Sequence, residues 1–269
     1  MPKTTRKAPS FEGVAAGQTA TARLPIGRTY EQLLIPYSGA TLTQLNELRI
    51  IANGEVIHRV TELTKLDSMN QFEGRAAANG VIVFDFNRFN MRTRAGEEYT
   101  ALGTGVLDDP MKITTLSCEI DIDGAAVNPS LGPIRMVQSA PRPVGEIIKT
   151  KQFTYTAGAA GEFEIADLPK QGKINKIYFG NRTGVNYSRL VIEVDNFVMF
   201  DRTASENDQV QADGVRVPQS DYLVYDPTEN GNADETLALA GIQDFRLRLT
   251  LGAAGQVPLT VEYIDTPEQ

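Results

Sequence analysis

Short runs of alternating apolar and polar residues recur along this chain, and they predict strands far more often than helices. Residues 112–123 (KITTLSCEIDID) place Ile113, Cys118, Ile120 and Ile122 on one side, with Leu116 joining them through a local slip. That is the period-two pattern of a half-buried strand. Residues 81–86 (VIVFDF) are too few for a helix and rich in β-branched and aromatic side chains. Residues 49–52 and 55–58 flank Asn53-Gly54, a pair that tolerates positive φ at both positions and predicts a type I′ hairpin. Between Thr61 and Asn70 the period changes: Leu63, Leu66 and Met69 recur every third residue, which predicts a short helix with Thr61 as its cap. Further strands are predicted at 173–180, 189–195, 197–201, 221–226, 244–250 and 257–264. Pro141 and Pro143, inside residues 138–146, lack the N–H that a sheet ladder needs and mark an exposed connection between two sets of strands.

The two sets resemble each other. Leu24-Pro25, followed by Tyr37-Ser38-Gly39, matches Leu168-Pro169, followed by Arg182-Thr183-Gly184, at offsets of 144 and 145. The hairpin at 48–59 matches 190–201, where Asp195-Asn196 stands in the turn; residues 81–85 match 222–226, and 116–119 match 259–262. Residues 61–70 lie opposite 203–210 (TASENDQV), a shorter or more polar helix. Each half then reads as about eight strands with a helical insertion between the fourth and fifth, which suits a two-sheet sandwich such as the jelly roll. The expected layout is a basic arm at 1–12, a first barrel at 13–138, a linker at 139–146 and a second barrel at 147–269.

Composition narrows the chemistry. The 269 residues carry 26 Lys and Arg against 34 Asp and Glu, a net charge of −8 that disfavours general phosphate-backbone binding. A single Cys and a single His exclude an internal disulfide and any multi-cysteine or multi-histidine metal centre. No apolar run reaches the ~20 residues that a membrane-spanning helix requires. His58 follows Val56-Ile57 on a predicted strand and Cys118 sits in another, so both read as structural; no Gly-x-Ser-x-Gly is present. Glu119 and Glu262 occupy matching places in the repeat, as surface or interdomain acids rather than a glycosidase pair. Asp108, Asp109, Asp121, Asp123, Asp201 and Asp226 offer oxygen ligands for calcium, without an EF-hand loop to organise them. Residues 84–94 interleave aromatic and basic side chains, either as a nucleic-acid platform or as a strand running into an arginine-rich loop. Lys3, Arg6 and Lys7 form either a solvated terminus or an arm that touches an anionic surface. No export signal follows them, so synthesis is expected in the cytoplasm.

Residues 15–17 (AAG), 24–31 (LPIGRTYE), 37–39 (YSG), 165–169 (IADLP), 242–248 (IQDFRLR) and 261–263 (VEY) together resemble the major capsid proteins of corticoviruses. These are tailless, icosahedral, membrane-containing phages of Gram-negative bacteria. The resemblance implies an all-β double jelly roll whose homotrimers form pseudo-hexagonal tiles of a shell over an internal bilayer. Its implied partners are further copies of itself, the viral membrane and minor capsid or membrane proteins, with no sequence-specific nucleic acid and no catalysis. Its implied location is the virion, after synthesis in a bacterial cytoplasm. Lys3, Arg6 and Lys7 would lie near lipid headgroups; no cofactor is required, and calcium stays open. The alternative is a carbohydrate-binding or attachment protein with a double β-sandwich, using Tyr178, Tyr187 and Phe197 around a shallow groove.

Overall fold

The computed structural model describes residues 3–105, 108 and 111–267. The chain divides into two compact units, one built mainly from residues 1–71 and 75–150, the other from 72–74 and 151–263. The first contains β1 (Thr4–Lys7), β2 (Thr19–Arg23), β3 (Thr29–Ser38), β4 (Leu45–Ala52), β5 (Glu55–Thr61), α1 (Leu63–Phe72), β6 (Val81–Asp85), α2 (Arg94–Glu98), β7 (Leu102–Gly103), β8 (Leu116–Ile122), β9 (Ser130–Leu131) and β10 (Arg135–Ser139). After the strandless stretch 140–146 come β11 (Ile147–Ala157), β12 (Gly161–Ile165), β13 (Lys173–Phe179), α3 (Arg182–Val185), β14 (Tyr187–Val194), β15 (Phe197–Thr203), α4 (Ala204–Gln211), β16 (Leu223–Tyr225), β17 (Leu237–Ala238), β18 (Phe245–Leu251) and β19 (Gly255–Asp265).

Both units repeat one sheet order. In the first, β1-β10-β3-β6 form one sheet and β2-β8-β4-β5 the other. In the second, the corresponding sets are β11-β19-β13-β16 and β12-β18-β14-β15. Setting aside the two-residue strands β7, β9 and β17, each unit pairs its first strand with its eighth and its second with its seventh. That is the jelly roll, twice.

Alternation explains why these segments fold as they do. Along β8 every second residue is buried, and β18 follows the same rule from Phe245 to Leu251. The first core gathers Leu33, Ile35, Leu48, Ile50, Ile82 and Ile120 between its sheets. The second gathers Ile177, Phe179, Leu190, Ile192, Leu247 and Val261. Full burial of each such side chain contributes roughly 1.5–3 kcal/mol. Both fourth-to-fifth-strand hairpins turn on left-handed residues: Asn53 and Gly54 at φ 51° and 85°, Asp195 and Asn196 at 48° and 65°. These are type I′ turns, whose twist matches that of the strands they join.

Four expectations need correction. Residues 4–7, assigned to a basic arm, form β1, which pairs antiparallel with β10 from Thr4↔Gln138 to Lys7↔Arg135. Counting β1 in the first barrel and β11 in the second puts the helical insertion after the fifth strand of each, not the fourth. Thr61 does not cap α1: it ends β5, and Glu62 makes the bend at φ 60°. The cap appears instead on α4, where Thr203 Oγ1 accepts from Glu206 N while Glu206 Oε2 accepts from Thr203 N. Finally, residues 116–119 lie on β8, the seventh strand of its barrel, whereas 259–262 lie on β19, the eighth. The constant offset broke because residues 86–115 connect β6 to β8 while only 226–244 connect β16 to β18.

Candidate functional site

The residues that could have carried catalysis are locked into cores. His58 on β5 is buried; its Nδ1 lies 3.0 Å from Thr150 Oγ1, and its ring meets Phe84 edge-on at 4.8 Å. Burial lowers its pKa to about 3, so the imidazole stays neutral. Cys118 faces the first core, where burial, helped by Glu119, pushes its thiol up to about 12. A neutral, enclosed thiol is no nucleophile.

The calcium candidates do not converge. Glu47, Glu119 and Asp121 do meet, but around a cation that the chain supplies: Arg49 Nη1 lies 2.7 Å from both Glu47 Oε1 and Asp121 Oδ2, and Nη2 lies 3.1 Å from Glu119 Oε2. Hydrogen bonding from Arg49 holds Asp121 below the usual carboxylate range. Asp123 accepts from Ala125 N at 2.7 Å and shapes a turn, while Asp201 is paired with Arg189 at 2.5 Å. Asp108 is exposed in a turn, and Asp109 lies outside the described residues. Among the described residues, no three His, Cys, Asp or Glu side chains are placed to share a metal ion.

Asp226 belongs to a cluster that patterning could not show. Strand β13 is buried on both faces, and Lys176 in its middle sits with Nζ 2.7 Å from Glu73 Oε1 and 3.9 Å from Asp226 Oδ2. Arg216 Nε donates to Asp226 Oδ2 at 2.7 Å, and its Nη2 donates to Thr228 O at 2.7 Å. Thr228 completes the shell, its N and Oγ1 donating to Asp226 Oδ1 at 2.9 and 2.8 Å. Asn175 Nδ2 donates to Glu262 Oε2 at 2.6 Å. Burial works against the charge on Asp226, yet Lys176 and Arg216 keep its carboxyl below the usual range; burial pushes Glu73 and Glu262 up. Glu262 therefore sits beside this internal lattice, on a strand that is not the equivalent of Glu119's. The lattice ties residue 73, strand β13 and the loop after α4 into the second barrel.

The surface readings also sort themselves. Phe84, Phe86 and Arg88 are buried, which removes the aromatic and basic platform. Tyr178 and Tyr187 are buried as well, while Phe197 is exposed, so the three aromatics line no common groove. Lys3 is not a free cation: its Nζ lies 2.5 Å from Glu31 Oε2, a carboxylate buried beside β1 that also accepts from Asn87 Nδ2 at 3.3 Å. Arg6 and Lys7 stay exposed on β1. What remains is edge and loop surface, with apolar side chains gathered at the start of β15, where Phe197, Val198 and Met199 all face solvent.

A sequence profile of the viral coat protein P2 N-terminal domain matches residues 5–138, and that of the P2 C-terminal domain matches 147–267. The chain is 28% identical over 262 residues to the major capsid protein P2 of Pseudoalteromonas phage PM2, covering 95% of this chain and 94% of that one. The crystal structure of the major capsid protein P2 from bacteriophage PM2 superposes with a TM-score of 0.90 at 26% identity, covering 100% of this chain and 99% of its own. The fold alone extends further. The STIV major capsid protein gives a TM-score of 0.68 at 12% identity, covering 98% of this chain and 96% of that one. The PBCV-1 virus capsid protein gives 0.66 at 10%, covering 98% and 93%. With both barrels matched in order and nearly the whole length covered, this chain belongs to the viral coat protein P2 family.

Proposed function

We propose that this coat protein is the major capsid protein of a tailless, membrane-containing phage, and that it works as a homotrimeric tile of an icosahedral shell. The observation that carries the reading is the repetition of one barrel within one chain. A head-to-tail contact between copies closes into a ring when its rotation allows, and three copies of a two-barrel chain put six similar barrels around a threefold axis. Such a tile fits a hexagonal lattice with half the number of chains. Its role is structural, so the interfaces between copies take the place of a catalytic site. A permanent contact needs well over ~1,000 Å² of buried surface with an apolar centre.

Light scattering after size-exclusion chromatography tests this directly. A species of three times 29.4 kDa is expected, and a monodisperse monomer at micromolar concentration would count against assembly.

The virion is the proposed location, after synthesis in the host cytoplasm, with minor capsid or membrane proteins as further partners. A bilayer inside the shell, near Lys3, Arg6 and Lys7, belongs to the same proposal. Because Glu31 already neutralises Lys3, Arg6 and Lys7 are the cations left to act on headgroups. Co-flotation of the purified protein with anionic vesicles, weakened by salt and by Arg6→Ala with Lys7→Ala, is the expected result. Equal flotation of the double variant would remove the arm from the account.

A further inference from the structure

The repeat leaves one strand edge covered in the first barrel and open in the second. In unit 1 the fifth strand, β5, pairs with β4 on one side, and on the other with the chain just before residue 151, through a parallel bridge at Thr150↔His58. Its counterpart β15 pairs with β14 on one side and ends its sheet on the other. Phe197, Val198 and Met199 on that open strand are 67%, 47% and 53% exposed. A long apolar edge is a template for another strand, and proteins that leave one open pair it or cover it.

The same repeat identifies what would cover it. Ala15-Ala16-Gly17 and Leu24-Pro25 align with Ala159-Ala160-Gly161 and Leu168-Pro169 at a shift of 144. Carried back along the chain, that shift sets residues 3–6 against 147–150, the stretch that ends at the residue bridged to β5. Residues 4–6 begin β1, the first strand of its own barrel, and β1 also ends its sheet, with β10 on one side only. Each chain therefore carries two unmatched edges, β1 and β15, whose counterparts, the start of β11 and β5, meet at the Thr150↔His58 bridge.

We propose that β1 of one copy adds in parallel to the open edge of β15 in a second copy, with Arg6 opposite Phe200 as Thr150 is opposite His58. The contact is heterologous, so it closes into a three-membered ring when its rotation is that of a threefold axis. The inference rests on the assembly reading above and deepens it by naming the joined strands.

Cysteine cross-linking of the full chain tests it, because adjacent strands lie about 4.8 Å apart and a disulfide accepts Cα separations of roughly 4.4–6.8 Å. Arg6→Cys combined with Phe200→Cys is expected to lose its monomer band to covalent oligomers on mild oxidation. Neither single variant should do so, nor should Arg6→Cys with Val56→Cys. The buried Cys118 supplies no competing thiol. Phe197→Asp with Met199→Asp is expected to lower the mass seen by light scattering while leaving the melting curve in place. If the parent chain is a trimer but the cysteine pair does not cross-link, or the charged variant keeps its trimer, the strand pairing is wrong and assembly stands. A monomeric parent chain sinks both.

Discussion

Replacing Asp226 with alanine is expected to destabilise the second barrel by about 3–5 kcal/mol, the usual effect of removing one partner from a buried ion pair. The carboxylate accepts from Arg216 and twice from Thr228, with Lys176 3.9 Å away, all inside the fold. Its loss leaves Lys176 facing mainly Glu73 and Arg216 with Asp213 at 3.4 Å as its remaining ion pair, while Thr228 N and Oγ1 lose their acceptor. Differential scanning calorimetry would read the change as a lowered melting transition. Asp201→Ala is the control, since that acid pairs with Arg189 on an exposed strand where ion pairs contribute little. Equal shifts for the two variants would mean that the buried lattice contributes nothing special. Acid should have a related effect: Asp226 has its carboxyl held below the unfolded value, so its contribution is present above that value and lost as pH falls through the folded one.

The second large effect concerns His58. Its pKa falls from 6.5 to about 3 on burial, so between those values the unfolded chain binds a proton that the folded chain refuses. Stability is therefore fully present above pH 6.5 and declines as pH falls, by up to about 1.4 kcal/mol per pH unit. At pH 5 the expected loss is about 2 kcal/mol, before most carboxylates begin to titrate. Urea unfolding of the parent chain and of His58→Leu at pH 7 and pH 5 would measure it. The variant should lose this pH dependence, at the cost of leaving Thr150 Oγ1 without its imidazole partner. The same slope in both proteins would assign the acid sensitivity elsewhere.

Much of the fold was legible because jelly-roll strands with one buried face write their period into the sequence, as 116–122 and 245–251 do. The turns at 53–54 and 195–196 were legible because only a few residue types accept positive φ twice in succession. Strand β1 was hidden: Thr-Thr-Arg-Lys is polar throughout, and its place comes from pairing with β10 and from the Lys3–Glu31 contact. The Lys176 cluster was hidden for the opposite reason. Its members come from residues 73, 176, 216 and 226, brought together by tertiary contact, and charged residues read individually suggest solvent. The mistaken match of β8 with β19 shows that alternating strands are nearly interchangeable in sequence; only sheet order tells the seventh from the eighth. Asp121 and Asp123 read in the sequence as oxygen ligands for calcium, but Arg49, on the strand paired with β8, decides what Asp121 does.

The unequal connections have a stoichiometric consequence. Twelve residues, 123–134, carry the chain from β8 to β10, whereas 252–254 suffice between β18 and β19. Any partner that reads the longer connection, or the 86–115 segment, meets one docking position per chain, although the barrel beneath occurs twice. A frame repeated for packing thus presents an unrepeated address to whatever binds it.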